Sequence, residues 1–509
     1  MRKSTRRAAL CCVAACVVPA ASYAQGGRAG WPTTGGDAQR TSWVRTDARI
    51  SKDAIEKGAF RLLWKAKLDN QSTELESLTQ PLLLPNIISY KGFKALAFTG
   101  GSADNVYALD YDLNKIFWKV HLASAAASAK PTRTPACPVA LTTITRATPL
   151  PAPPVGTGGE RGRGGPPGAP GAGRGGGGGG RGGDSNIYAI SSAGVLHTLN
   201  PQTGEDFAPP IKFLPPNARA AGAVLIDRTV YVATTGNCGG APNGVWAVDL
   251  GSDEKAVARW ETPSAIAGTA GPAFGADGTV YVATGEGDPS YSNAVVALDP
   301  RTLKVKDAFI AESPFVSSPI VIHGASGDLV TAANKDGRIY LLAAASLGGP
   351  DRKTPLARSA GDAHGAGDAG VSLATWESSD GTRWILMSSG AVRAFRIGGS
   401  NSAPSIETAW TTRDLAAPLT PLVVNGVVFA LANGEYRSAD AAMTARDRAK
   451  RSKPAVLYAL DAVTGKELWT SGSTITSFVH AVAPSGGDGQ VYVVTYDGTV
   501  YAFGVPLEH

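Results

Sequence analysis

One phrase recurs along this chain, and it limits the fold more than any other feature. Val106-Tyr107-Ala108-Leu109-Asp110 is followed eight residues later by Trp118. Leu457-Tyr458-Ala459-Leu460-Asp461 is followed at the same spacing by Trp469, with Thr464-Gly465-Lys466 between. Looser copies are Val245 to Asp249 with Trp260, and Val295 to Asp299 with Lys304; Ile187-Tyr188-Ala189 and Ile339-Tyr340-Leu341 keep only the strand. A companion run precedes many of them, as at Val230 to Ala233, Val280 to Ala283, Val427 to Ala430 and Val491 to Val494. β-Branched and aromatic residues in short runs are strand chemistry, and Asp336-Gly337 and Asp497-Gly498 mark tight hairpins.

Phrases spaced by 45 to 60 residues, each worth about four strands, predict an all-β, eight-bladed β-propeller of four-stranded antiparallel blades. One such sheet cannot cover its own faces, and stacking blades around an axis buries both. The units fall at 78–122, 137–213, 219–264, 268–312, 315–358, 368–416, 417–472 and 475–505. The last ends at Tyr501-Ala502-Phe503 without an outer strand, while Phe60 to Ala66 is an orphan strand carrying Trp64. Pairing the two closes the ring and removes both open edges.

The first 24 residues read as an export leader. Arg2, Lys3, Arg6 and Arg7 precede 14 uncharged residues from Ala8 to Ala21, and Ser22-Tyr23-Ala24 offers a cleavage site. Arg6-Arg7 weakly resembles a twin-arginine signal and Val13-Ala14-Ala15-Cys16 a lipoprotein box, so the export route stays open. The expected location is periplasmic or extracellular. Residues 25–59 form a lead-in, and 60–509 the propeller. The formal charge of +6, less the four of the leader, argues against nucleic acid as a partner. No later stretch is apolar enough to span a membrane, and a monomer binding an unknown protein or small molecule is expected. Cys137 and Cys238 remain after the leader, either bridged or as two free thiols. No Cys-x-x-Cys-His occurs, which excludes covalent haem. From Gly156 to Gly183, 17 of 28 residues are glycine, with four arginines interspersed. Such a stretch cannot bury enough area to offset its ordering entropy, and it reads as a flexible insert.

Ala-x-Asp-x-x-Thr-Gly-Lys-x-x-Trp at Ala459 to Trp469 resembles the tryptophan-docking motif of the pyrroloquinoline quinone (PQQ) repeat. Trp31 to Arg40 looks like the segment preceding the propeller in quinoprotein dehydrogenases. The resemblance implies a quinoprotein-like propeller, in a family that holds both enzymes and cofactor-free scaffolds. The enzymes bind PQQ beside Ca²⁺ and oxidise alcohols or sugars. For that activity it points to Asn237, after Thr235-Gly236, as a cofactor and metal ligand. It points to Lys335, in Asn334 to Tyr340, as the contact to the quinone oxygens, and to Glu312 as the catalytic carboxylate. Two departures weigh against it. The mature chain has no adjacent cysteine pair, and Ile187 to Gly194 carries no acid where the second blade of the enzymes supplies a glutamate. Each of the three residues also has a plain structural reading in a turn or solvated loop. A binding or scaffold role, using the top face or blade edges, is therefore expected ahead of a divergent PQQ- and calcium-dependent dehydrogenase. Asp362, His364 and Asp368 form a further polar cluster, and Arg437 to Lys453 reads as a basic exposed excursion of the seventh blade.

Overall fold

The computed structural model describes residues 30–89, 92–122, 137, 142–151, 185–287, 290–324, 327–361, 370–400, 403–438, 440 and 442–506. The leader, the whole glycine insert and the Asp362, His364, Asp368 cluster lie outside the described residues.

Eight antiparallel sheets, each ordered from axis to rim, span 82–121, 143–212, 220–261, 273–310, 320–358, 372–411, 422–470 and 485–504. These are the eight units read from the repeat. The inner strands neighbour one another around the ring, and Leu82–Ser89 of blade one lies against Ser485–Gly487 of blade eight. The middle strands show why the repeat reads as continuous apolar runs rather than alternation. Adjacent blades cover both faces, so Asn105–Asp110 and Val280–Ala283 are buried at every position. Outer strands meet solvent and alternate, as Lys115–His121 does around a buried Trp118.

The Asp-to-Trp spacing acquires a physical meaning here. Trp118 at the rim of blade one lies on Gly204 of blade two and donates its indole N–H to Pro201 O at 2.8 Å. Trp410 of blade six does the same to Gly465 of blade seven, donating to Ala462 O at 3.1 Å. Each tryptophan thus seals one blade onto the next; removing such a ring costs about 3–5 kcal/mol. Both glycines have φ above +70°, a backbone state the Thr-Gly turn needs and L-residues avoid.

Closure follows the expectation. Arg61–Lys67 pairs antiparallel with Thr499–Gly504, placing Trp64 opposite Ala502 and Lys65 opposite Tyr501. Phe60 wedges against Phe429 and Trp469, with ring centres 5.2 and 4.9 Å away.

The lead-in does more than precede the ring. Its residues 31–44 pass round the inside of the ring and bond directly to blades one to seven, reaching blade eight through Gln80. Leu83 of blade one and Arg146 of blade two donate N–H groups to Trp31 and Pro32 carbonyls at 2.9 Å. Thr33 Oγ1 donates to Ala223 O of blade three at 2.7 Å. Phe274, Val321, Thr375 and Val423, one from each of blades four to seven, donate to Ala38, Gln39, Thr41 and Ser42 carbonyls. Gln80 accepts from Gly35 N–H and donates to Ala483 and Pro484 carbonyls, linking blade eight. Trp43–Val44 then adds a parallel fifth strand inside Leu422–Val424, so blade seven has five strands rather than four. Arg40 lies at the centre, 2% exposed. It donates to Thr33 Oγ1, Thr34 O, Gly222 O and Pro272 O at 2.6–2.8 Å. Burial pushes its pKa down to about 9, with Asp37 opposing. A buried guanidinium met by four acceptors is satisfied in place, and its fork geometry suits carbonyls converging from two blades.

Candidate functional site

Because strands alternate in direction, the hairpins joining second and third strands lie at the same end of the ring as the blade-to-blade connections. Asn237, Lys335 and Glu312 all fall at that end. Asn237 closes the hairpin between Thr229–Thr234 and Gly244–Asp249 in a left-handed conformation, φ 51°. Its carboxamide oxygen accepts from Asn243 N–H at 3.3 Å, while its own N–H donates to Asn243 Oδ1 at 3.2 Å. The next residue, Cys238, is bridged to Cys137, which decides the cysteine question left open by the sequence. The bridge pins the connection entering blade two onto the blade-three hairpin.

Lys335 sits in a hairpin organised by the buried Asn334, whose Oδ1 accepts from Asp336 and Arg338 N–H groups at 3.1 and 3.0 Å. The Lys335 N–H donates to Pro314 O at 2.8 Å. Its ammonium lies 3.6 Å from Glu286 of blade four, an exposed pair with the two side chains 64% and 74% accessible. Such pairs contribute about 0–1 kcal/mol. Glu312 is exposed in the connection from blade four to blade five. Its neighbour Ser313 donates to Asp336 Oδ1 at 3.0 Å. Burial raises the pKa of nearby Tyr340; Arg338 and Arg358 oppose this, while Glu312 and Asp336 reinforce it. Lys335 and Glu312 therefore share one ledge, stitched together through residues 313–314 and 336, and the ammonium turns to Glu286.

The donor set does not fit a calcium ion. A hard dication takes about six to eight oxygens. Asn237 Oδ1 is already bonded to backbone. In blade two, Ser192 donates both N–H and Oγ–H to Asp104, which also accepts from Thr142 Oγ1, so that carboxylate is engaged with its own surroundings. Among the described residues no three His, Cys, Asp or Glu side chains converge on a metal position.

A feature the sequence did not reveal lies at the same end, in blade seven. The hairpin between Val427–Ala432 and Val456–Asp461 is expanded into the basic stretch noted above, with a helix at Ala445–Arg451 capped by Thr444. Glu435, with a side chain 0% exposed, anchors it. Arg448 donates to Glu435 Oε1, His480 Nδ1 lies 3.1 Å from the same oxygen, and Arg437 lies 3.7 Å from Oε2. Only the position of Asn433-Gly434-Glu435 straight after a second strand, like Asn334 in blade five, hinted that this acid turns inward. The expected exposed excursion is thus exposed on its outer side and fastened on its inner one.

A family model described as outer membrane protein assembly factor BamB matches residues 439–505. No curated protein matches the chain. Among solved structures, the quinohemoprotein alcohol dehydrogenase of Comamonas testosteroni superposes with TM-score 0.56 at 16% identity, covering 96% of this chain and 82% of its own. Quinohemoprotein alcohol dehydrogenase ADHIIG of Pseudomonas putida HK5 gives 0.57 at 13%, covering 94% and 82%. Sqt1 of Saccharomyces cerevisiae gives 0.50 at 12%, covering 87% and 99%. These likenesses establish the propeller and, at such identities, the fold alone.

Proposed function

We propose that this PQQ-repeat propeller works as an exported binding scaffold, presenting the end of the ring that carries Asn237, Lys335 and the blade-seven helix to a partner, without a bound quinone. The observation that carries the reading is the engagement of the Asn237 carboxamide oxygen by the Asn243 N–H. One of that oxygen's two lone pairs is closing the residue's own hairpin, and among the described residues no group of three acid, histidine or cysteine side chains stands by to complete a calcium shell. The pairing of Lys335 with Glu286 and the absence of an acid in Ser191 to Gly194 support it further. So does the description, as an outer membrane assembly factor, of the family model that matches residues 439–505, the outer half of blade seven and blade eight. Export to the periplasm or the cell exterior is part of the proposal and rests on the leader. No helix among the described residues is long and apolar enough to cross a membrane.

The test mixes purified mature protein with PQQ and Ca²⁺, passes it through gel filtration, and follows quinone absorbance and dye reduction with simple alcohols. The expected result is no retained quinone and no turnover. Stoichiometric retention that disappears in Asn237→Ala and Lys335→Ala would overturn the scaffold reading in favour of a divergent dehydrogenase, with Glu312→Gln then expected to abolish turnover.

A further inference from the structure

We propose that the cleft between the helix Ala445–Arg451 and the loop at residues 72–74 is a docking site for an extended acidic peptide segment of a partner protein. The inference rests on the scaffold reading and supplies the chemistry of its partner. The cleft holds about 570 Å³, and its walls include Glu74, Ala445, Arg446, Ala449, Lys450 and Tyr496. Such a volume lies in the range of pockets that take small ligands or a few peptide residues.

The helical wall has a particular pattern. Ala445 and Ala449 are one turn apart, as are Arg446 and Lys450, so a row of two small residues runs beside a row of two cations along the helical wall. Cβ atoms at that spacing stand about 5–6 Å apart. An extended peptide places every second side chain on one side, about 6.5–7 Å apart. Carboxylates at alternate positions therefore come opposite Arg446 and Lys450, and the alanines let the peptide backbone approach closely. Both cations are exposed.

The walls are also fixed before any partner arrives. Arg448, on the inner side of the same helix, is held by the fully buried Glu435. Across the cleft, Tyr496 stacks on Phe478 with ring centres 4.5 Å apart and donates its hydroxyl to Glu74 O at 3.2 Å. The backbone of both walls is thus held in place, and the freedom lost from this protein on binding is largely that of the exposed Arg446 and Lys450 side chains. The shape selects a peptide over other anions. A bilayer presents a plane and cannot enter a cleft. Glu74 on the facing wall repels a polynucleotide, which is charged at each step, but tolerates a peptide with carboxylates on one side only.

The experiment uses the full mature chain and a fluorescein-labelled peptide with aspartate at alternate positions and serine between, read by fluorescence anisotropy. Saturable binding that weakens as salt rises is expected, and the double variant Arg446→Glu, Lys450→Glu should weaken it by at least about tenfold. Arg301→Glu, at the opposite end of the ring, should leave it unchanged. Both side chains are exposed, so the variant's melting temperature should match wild type, and that measurement guards against misfolding. The proposal is overturned if the asparagine version of the peptide binds equally well, if the double variant binds as wild type does, or if phosphatidylglycerol vesicles are bound and the peptide is not. Quinone retention is a separate readout, so loss of the scaffold reading and loss of this site are told apart.

Discussion

Replacing Gly465 by alanine tests how the blades are joined. Gly465 has φ +74°, and a Cβ built there would meet three atoms of the Trp410 ring at 2.7–3.0 Å. The ring cannot retreat freely, because its indole N–H is tied to Ala462 O at 3.1 Å and it is buried between blades six and seven. Gly426, in the first hairpin of the same blade, has φ +75° and nothing within 4 Å of the equivalent Cβ. The two glycines therefore share the left-handed strain and differ in the contact. Strain alone costs about 1–2 kcal/mol at either site. Forcing a methyl into a packed interface adds about 1–3 kcal/mol. Gly426→Ala should then lose about 1–2 kcal/mol and Gly465→Ala about 2–5. Urea unfolding followed by tryptophan fluorescence and by circular dichroism measures both, and coincidence of the two signals checks that a single transition is being compared. If Gly465→Ala is no less stable than Gly426→Ala, the docking of Trp410 does not hold the blades together as argued.

Two further outcomes follow from buried groups. The Tyr111 hydroxyl donates to Asp488 Oδ2 at 2.8 Å, and burial, then the charges around it, raise its pKa well above the ordinary tyrosine value. A raised native pKa means the unfolded chain releases this proton first above pH 10, so the hydroxyl's contribution is whole below that pH and falls above it. The stability difference between wild type and Tyr111→Phe should be about 1.4 kcal/mol smaller at pH 11 than at pH 8; a difference independent of pH refutes the burial argument. The Cys137–Cys238 bridge closes a separation of 101 residues. Loop entropy for such a closure reaches about 4–5 kcal/mol. Dithiothreitol should therefore lower the melting temperature of wild type and leave Cys238→Ser unaffected, whereas an unchanged wild-type midpoint counts against the bridge.

The ring itself was legible in the amino-acid order, because a blade is local. Val106 to Trp118 and Leu457 to Trp469 spell out strand, turn and rim within a dozen residues, and a sheet that must be covered on both faces leaves an apolar run that repeats. The missing outer strand of the last unit and the orphan around Trp64 pointed to each other for the same reason: an unpaired edge is costly wherever it occurs in the chain. The axis was not legible. Arg40 reads as one more cation in a polar lead-in, and its acceptors, Gly222 O and Pro272 O, are backbone atoms of two blades about two hundred residues away, which have no signature of their own. Local resemblance marked Asn237 and Lys335; Asn243, which engages the first, is six residues on in the same hairpin, but Glu286, which faces the second, belongs to the neighbouring blade and was chosen by how the connections pack. Glu435 looked like any loop acid until Arg448, His480 and Arg437 closed around it. Periodicity is written in sequence because it depends on residues a few positions apart. Which polar group meets which depends on distances between segments that only the closed ring brings together.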